Sequence, residues 1–303
     1  MYDIIGDIHG HADKLEELLL KLGYTKKHKE YSHPSRKVLF LGDYIDRGPK
    51  IHETLKIVKH MVDGGHAIAL MGNHEYNAIC FHTKRMKGGY LRKHSIKNIL
   101  QHYKTLKDFN GHQSAYDEYI EWFKTLPLFY ENENFRAVHA CWDHEHINYL
   151  KGLMVNERLT EHMISNSADK ENKLHRSVEI TLKGKEIPLP IGKSFLDKDG
   201  HERTHFRIKW WEDPAKATYR SISIHPIENL VDDPIIITPP LKPDYYHTDE
   251  KPVFFGHYWL QGNPMLFKEN ICCCDYSVAK EGVLAAYRYD GEKKLEASRF
   301  VFV

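Results

Sequence analysis

Val38-Leu39-Phe40-Leu41 runs straight into Gly42-Asp43-Tyr44-Ile45-Asp46-Arg47-Gly48, an apolar stretch of strand length that ends on glycine and carboxylates. Short apolar runs bounded by glycine mark buried strands. The same construction occurs four more times. Tyr2-Asp3-Ile4-Ile5 leads to Gly6-Asp7-Ile8-His9-Gly10, and Ala67-Ile68-Ala69-Leu70-Met71 to Gly72-Asn73-His74-Glu75. Phe135-Arg136-Ala137-Val138 leads to His139, and Val253-Phe254-Phe255 to Gly256-His257. In a layered α/β protein the carboxyl ends of such strands form one rim, where ligands bind. Asp7, His9, Asp43, Asn73, His139 and His257 are therefore expected to be neighbours in space. Carboxylate, imidazole and amide oxygen together make a metal site.

Between the strands, residues 12–22 place Leu15, Leu18, Leu19 and Leu22 at helical spacing before Gly23. Residues 51–62 do the same with Ile51, Leu55, Val58 and Val62, and Gly64-Gly65 ends them. Strand, helix, strand, helix, strand is the order of parallel crossover units. Residues 24–37 read as a polar, basic loop. Residues 74–127 read as helical, most clearly over 113–126, where Tyr116, Tyr119, Ile120 and Phe123 recur before Pro127. Strands resume at 128–130 and 135–139.

Residues 151–250 differ in character. They are polar, with a helix expected near 156–165, then Trp210-Trp211-Glu212-Asp213-Pro214 and a Pro-rich run at 234–243. Phe206, Ile208, Trp210 and Trp211 need something to pack against, so the segment reads as an insertion or cap of unassigned role. The core is assigned to residues 1–150 and 251–303. Residues 271–274, 283–289 and 298–303 read as antiparallel strands, with Asp290-Gly291 as a hairpin turn between the last two.

Composition narrows the class. The 303 residues carry 43 basic and 42 acidic side chains, a formal net charge of +1, so no global field recruits nucleic acid or a membrane. The N-terminus enters a strand at once, without a basic and apolar leader, and no run has the length of a transmembrane span. The five cysteines include Cys272-Cys273-Cys274, whose side chains alternate between strand faces. They read as buried thiols rather than a disulfide or zinc frame, and a reducing cytoplasm is expected. Histidine is abundant at 22, so only those at strand ends are informative.

Several features carry two readings. Lys84, Arg85, Lys87, Arg92, Lys93, Lys97, Lys104 and Lys107 form either a lip for a phosphorylated ligand or a solvated helix face, and the solvated face is preferred. Trp210 and Trp211 are either an adenine platform or the insertion's own core, and the core is preferred. Arg207 and Arg220 become a second phosphate clamp if the insertion folds over the metals. His11 reads as a helix-start residue. His144 and His146, with Asp143 and Glu145, read as a solvated charged loop.

The chemistry follows from the ligand set. Two divalent cations about 3.5–4 Å apart need mixed oxygen and nitrogen ligands and one bridging group. Asp43 is the bridge, Asp7 and His9 serve the first cation, and Asn73, His139 and His257 serve the second. Mn²⁺ is the expected metal, and Fe or Zn²⁺ suits the same ligands. A water bridging two such cations is acidified to hydroxide near neutral pH and attacks phosphorus. His74, oriented by Asp46, is placed to protonate the departing oxygen, and Arg47 offers a planar fork to phosphate oxygens.

The first three blocks resemble the signatures of the calcineurin-like metallophosphoesterases, closest to their phosphoprotein phosphatase branch. Val138-His139-Ala140 and Phe255-Gly256-His257-Tyr258-Trp259 resemble the fourth and fifth blocks. The Gly-His-Tyr-Trp form and the following Cys274-Asp275 are nearer to bacterial symmetrical diadenosine tetraphosphatases. The resemblance covers residues 1–80, 128–146 and 252–290. It implies an α/β fold of four layers, a β-sandwich flanked by helices (αββα), with a dinuclear centre and the roles given above. Two departures stand out. Trp259 replaces a histidine that gives many members a fourth ligand to the first metal, and Ala140-Cys141-Trp142 replaces a Gly-rich turn. The implied activity is hydrolysis of phosphate esters or anhydrides, with a nucleotide or dinucleoside polyphosphate as substrate. The alternative is a protein Ser/Thr phosphatase acting on a phosphoprotein. A non-catalytic scaffold is disfavoured because His74, Asp46 and Arg47 are all retained.

Overall fold

The computed structural model describes residues 1–155, 157–190, 192–196, 202–237 and 244–303. Two sheets carry the five strands. In the first, Tyr2–Ile5, Lys37–Phe40 and Ala67–Ala69 run parallel, with Ile5 beside Phe40 and Phe40 beside Ala69. Val283–Tyr289 joins Tyr2–Ile5 antiparallel and is flanked by Asp275–Tyr276 and Phe300–Phe302. In the second sheet, Ile271–Cys273, Val253–Phe255 and Arg136–Val138 are parallel, and Phe129–Glu131 closes the edge antiparallel.

Side-chain alternation makes this a sandwich. Ile4, Leu39, Leu41 and Leu70 of the first sheet pack in one buried layer with Phe135, Ala137, Phe254 and Cys272 of the second. Aromatic rings bridge the two sheets, Phe135 to Tyr289 at 5.0 Å and Phe254 to Tyr287 at 5.3 Å between centroids. The alternate positions, Ile5, Val38, Phe40, Val253 and Phe255, face outward into the helical layers. Helices Ala12–Lys21 and Ile51–Asp63 present Leu15, Leu18, Leu55 and Val58 there. The layering is therefore helices, sheet, sheet, helices. All five cysteines are free and buried, and the Cys272 and Cys274 sulfurs, 3.9 Å apart, share the face opposite Cys273.

Several elements depart from expectation. Residues 24–37 hold a hairpin, Thr25–Lys27 with Glu30–Ser32, pinned by the buried Tyr31, whose hydroxyl donates to Glu16 at 2.8 Å. Residues 74–127 resolve into Asn73–His82, Ile96–Asp108 and Gln113–Lys124. The first break contains Gly88 and Gly89, both with positive φ. Ile271–Cys273 pairs parallel rather than antiparallel. Asp290-Gly291 does not form a tight hairpin, since residues 290–299 include the short helix Ala297–Arg299 before the last strand. The helix expected near 156–165 is Glu161–Ser167, where the Thr160 hydroxyl caps the Met163 N–H. The Pro-rich run lies partly outside the described residues.

Two unexpected helices, His144–Leu153 and Lys173–Lys183, pack against each other and place Ile147, Leu150, Leu174, Val178 and Leu182 in the main core. Asp143 caps the first of them by accepting the His146 N–H at 2.8 Å. The supposed loop is thus a helix start, and His146 is buried with Nδ1 2.9 Å from the Ser177 hydroxyl. Trp210 and Trp211 are neither a platform nor a separate core. They are buried in the main core against Phe255 and Phe267, and Trp210 Nε1 donates to the Ala140 carbonyl at 3.1 Å. Ile187, Phe206, Ile208, Tyr219 and Ile222 form a smaller cluster of their own.

His144 ties its helix to the segment preceding the last site strand. Its Nδ1 is 3.4 Å from Asp244 and its Nε2 2.8 Å from Glu250, and hydrogen bonds to these two carboxylates raise it to about 9. A raised histidine stabilises the fold fully below its unfolded value of about 6.5, and that contribution is lost as pH climbs through the folded value. With the ring partly exposed, the effect is expected to stay below about 1 kcal/mol. Melting temperatures between pH 6.5 and 9.5 should fall more steeply in the wild type than in His144→Gln. Parallel curves would assign the loss to other groups.

Candidate metal centre and proton donor

The five strand ends meet where the sheets face one another. Asp43 stands at the middle. Its Oδ2 is 3.6 Å from His9 Nε2 and its Oδ1 3.5 Å from His139 Nε2. Two buried groups of donor atoms share it, His9–Asp43–His74 and Asp43–His139–His257, each with all atoms within 4.8 Å of one another. Asn73 belongs with the second group, its Oδ1 lying 3.1 Å from His139 Nε2 and 2.8 Å from His257 Nδ1. Asp7 is in the same neighbourhood but outside both tight groups, and both its oxygens accept the His257 backbone N–H at 3.1 Å. His74 occupies the place expected for Asp7 beside His9.

The backbone is shaped for this convergence. Among the described residues, eleven besides glycine have positive φ, and His9, Asp43, Asp46, Arg47, His257 and Trp259 are six of them. Such conformations persist where surrounding contacts over-determine them, as at functional sites. Gly72 and Gly256 leave room for the carboxylates, since a Cβ on either would collide with Asp43 Oδ1 or Asp7 Oδ1. Glu75 clamps the Asp43 loop: Oε2 accepts the Asp43 and Gly72 N–H groups at 2.8 and 3.0 Å, and Oε1 accepts the Tyr44 N–H at 2.8 Å. Asp43 Oδ1 in turn accepts the His74 N–H at 2.9 Å, at the start of the helix Asn73–His82.

Hydrogen bonds fix which nitrogens are bare. His9 Nδ1 lies 2.9 Å from the Ile45 carbonyl and His139 Nδ1 2.8 Å from the Leu41 carbonyl, so each Nδ1 carries a proton and each Nε2 points inward at Asp43. This is how outer groups orient metal-binding imidazoles. Burial, and then the nearby His74 charge, hold His9 down at about 3, so its ring is neutral. The Nε2 atoms of His9 and His257 are buried without a hydrogen-bond partner. Burial and the neighbouring Asp275 and Asp43 push Asp7 well above the usual carboxylate range. Crowded carboxylates beside orphaned imidazole nitrogens are a donor set that divalent cations fit. Asp7, His9 and Asp43 would hold one, and Asp43, Asn73, His139 and His257 the other.

At the rim, His74 Nδ1 lies 2.5 Å from Asp46 Oδ2, while its Nε2 is 3.9 Å from Asp43 Oδ2. Burial opposes charge on His74, but Asp43 and the Asp46 hydrogen bond outweigh it and raise the ring above its ordinary value. Arg47 is exposed, with its guanidinium 3.7 Å above the Trp259 ring, and Lys280 lies 5.3 Å from the same ring. Trp259, at the position of the missing histidine, thus stacks under the Arg47 guanidinium and orders it. Asp275 fixes it by accepting the Trp259 N–H at 2.6 Å. Of the two insertion arginines, Arg220 is spent on the Leu230 carbonyl, at 3.0 and 2.7 Å. Arg207 pairs with Glu186 at 3.6 Å, and after burial its charge is the largest influence holding His257 well below the usual histidine range. His144 and His146 lie elsewhere, and His11 begins its helix without a side-chain cap.

Three supporting groups, Glu75, Asp275 and His102, carry no clear sequence signal of their role. An inward helix position beside a rim carboxylate is visible only after folding.

With this geometry in place, the comparisons with known proteins are direct. The model of the calcineurin-like phosphoesterase family matches residues 2–257. The chain belongs to that family. Among its relatives is an asymmetrical bis(5'-nucleosyl)-tetraphosphatase PrpE of Oceanobacillus iheyensis, 33% identical over 141 residues, which are 46% of this chain and 54% of that protein. Another is a symmetrical bis(5'-nucleosyl)-tetraphosphatase of Vibrio campbellii, 29% identical over 46% of each chain. The chain spans about half the length of these curated relatives. Among solved structures, a cold-active protein-tyrosine phosphatase of a psychrophilic Shewanella species shares the fold. It has 18% identity and a TM-score of 0.52, over 97% of this chain and 80% of that one. No described helix is long and apolar enough to cross a membrane.

Proposed function

We propose that this protein is a dinuclear-metal phosphoesterase that hydrolyses nucleotide or dinucleoside polyphosphates. The observation that carries the reading is the meeting of inward-facing imidazoles and Asn73 Oδ1 around one carboxylate, Asp43. Two divalent cations bound there, Mn²⁺ by preference, supply charge neutralisation and an acidified water for attack on phosphorus. The chain's own groups do the rest. Asp46 accepts the His74 Nδ1 proton, which leaves Nε2 to deliver a proton to the departing oxygen. Arg47, held against Trp259, binds phosphate oxygens through a pre-oriented fork. Arg207 brings a second positive charge from the segment 151–250, which we take to be an insertion over the core.

A second cation beside Arg47 would suit a chain of phosphates better than a single monoester, in keeping with the polyphosphate reading. So do the dinucleoside tetraphosphatases among the relatives. Five free, buried thiols suit a reducing cytoplasm. The test is side-by-side turnover of diadenosine tetraphosphate and a phosphoserine peptide with Mn²⁺. The dinucleotide is expected to be cleaved with at least about tenfold higher kcat/KM, a difference of about 1.4 kcal/mol at the transition state. Peptide turnover with no cleavage of the dinucleotide would move the assignment to a protein phosphatase.

A further inference from the structure

Asp46 is gripped from two sides. One oxygen, Oδ2, meets His74 Nδ1. The other, Oδ1, meets His102 Nδ1 at 2.8 Å and accepts the Thr105 hydroxyl at 2.5 Å. The Thr105 oxygen in turn accepts the Asp46 backbone N–H at 3.0 Å. His102 Nε2 lies 2.5 Å from the Tyr116 hydroxyl, so a buried chain runs His74–Asp46–His102–Tyr116. His102 and Thr105 are one helical turn apart on the inward side of Ile96–Asp108, whose outward side exposes Ile96, Leu100 and Tyr103. The active-site block reads Asp-Arg-Gly from residue 46, yet the partners that fasten Asp46 come from more than fifty residues away.

One arrangement of protons satisfies every contact in this chain of groups. Burial opposes charge on Asp46, but His102 and then His74 hold it well below the usual carboxylate range, so it is ionised and only accepts. His74 Nδ1, His102 Nδ1 and Thr105 must all donate to it. With the Tyr116 hydroxyl donating to it, His102 Nε2 is bare, and Nδ1 carries the ring proton that faces Asp46. Burial pushes the Tyr116 hydroxyl well upward, so it keeps its proton and donates. Asp46 also sits at φ 68, a conformation that its own backbone resists.

We propose that His102 is a positioning residue: with its tautomer set by Tyr116, it holds the Asp46 carboxylate at the angle and charge that aim His74 Nε2 at the leaving group. The proposal rests on His74 being the proton donor. His102 acts through Asp46, and its loss should be felt only where a leaving group needs a proton.

The test uses the full chain with Mn²⁺ and phosphomonoesters graded in leaving-group basicity, from p-nitrophenyl phosphate to an alkyl phosphate. General acids contribute about 10²–10⁴-fold in rate, and a positioning residue a fraction of that. His102→Leu should lower kcat for the alkyl ester by about tenfold or more and for p-nitrophenyl phosphate by less than about threefold. His102→Asn, which can still offer an N–H to Asp46, should recover much of the difference. An equal fall across the series, as loss of metal or of packing would cause, overturns the proposal, and so does no fall. Should His102→Leu not fold, Tyr116→Phe removes only the hydroxyl that sets the tautomer, and the same steepening is required of it. His74→Asn run in parallel separates the two layers: if it leaves the series flat, the donor assignment fails first.

Discussion

Asp43→Asn is expected to empty both metal positions and to lower turnover by about 10³-fold or more, since cations at such sites stabilise the transition state by several kcal/mol. Asparagine keeps the side-chain volume and tolerates the left-handed backbone at φ 56, so the clamp from Glu75 to the Asp43 N–H survives. What is lost is the negative charge that both donor groups share. Elemental analysis after dialysis should find less than about a tenth of the wild-type metal, with the melting profile of metal-free wild type. Two ions still bound per chain would remove Asp43 from the bridging position and with it the dinuclear arrangement.

His74→Asn should lower turnover by about 10²–10⁴-fold while leaving metal content nearly unchanged. This substitution is sharper than it first looks. His74 Nε2 falls within the tight group of His9 and Asp43, so its geometry suits a ligand as well as a donor. The distinction lies in the other nitrogen, bound to an ionised Asp46 that favours a charged ring, and a charged ring cannot coordinate. Loss of one ion per chain together with activity would make His74 a ligand and return the proton donor to an unassigned group. Loss of activity alone fixes the role.

Much of the site was legible because its groups sit within a few residues of strand ends, and a strand end is a local signal. Gly42-Asp43 and Gly72-Asn73 announce themselves by spacing. Pairing direction is not local, which is why Ile271–Cys273 joined Val253–Phe255 in parallel against expectation. The helix Lys173–Lys183 was hidden by Val178, Ile180 and Thr181, β-branched residues that weaken a helical reading, although Leu174, Val178 and Leu182 line one buried stripe. The helix His144–Leu153 was hidden by its charged first turn. Arg207 and Arg220 were indistinguishable as letters, because only the fold reveals that a backbone carbonyl occupies Arg220. His102 and Thr105 carried a faint mark, two polar residues one turn apart on what proved to be the inward side of a basic helix.

Asp7, His9, Asp43 and Asn73 come from one sheet, and His139 and His257 from the other. Any ion gripped by both sets acts as a rivet through the two leaves of the sandwich. Hydrophobic contact sets the spacing of those leaves elsewhere, and bound ions would add coordination bonds along this seam. Occupancy and cohesion are then a single equilibrium: each ion that binds the assembled seam and not the open chain deepens the folded state in proportion to the logarithm of its concentration.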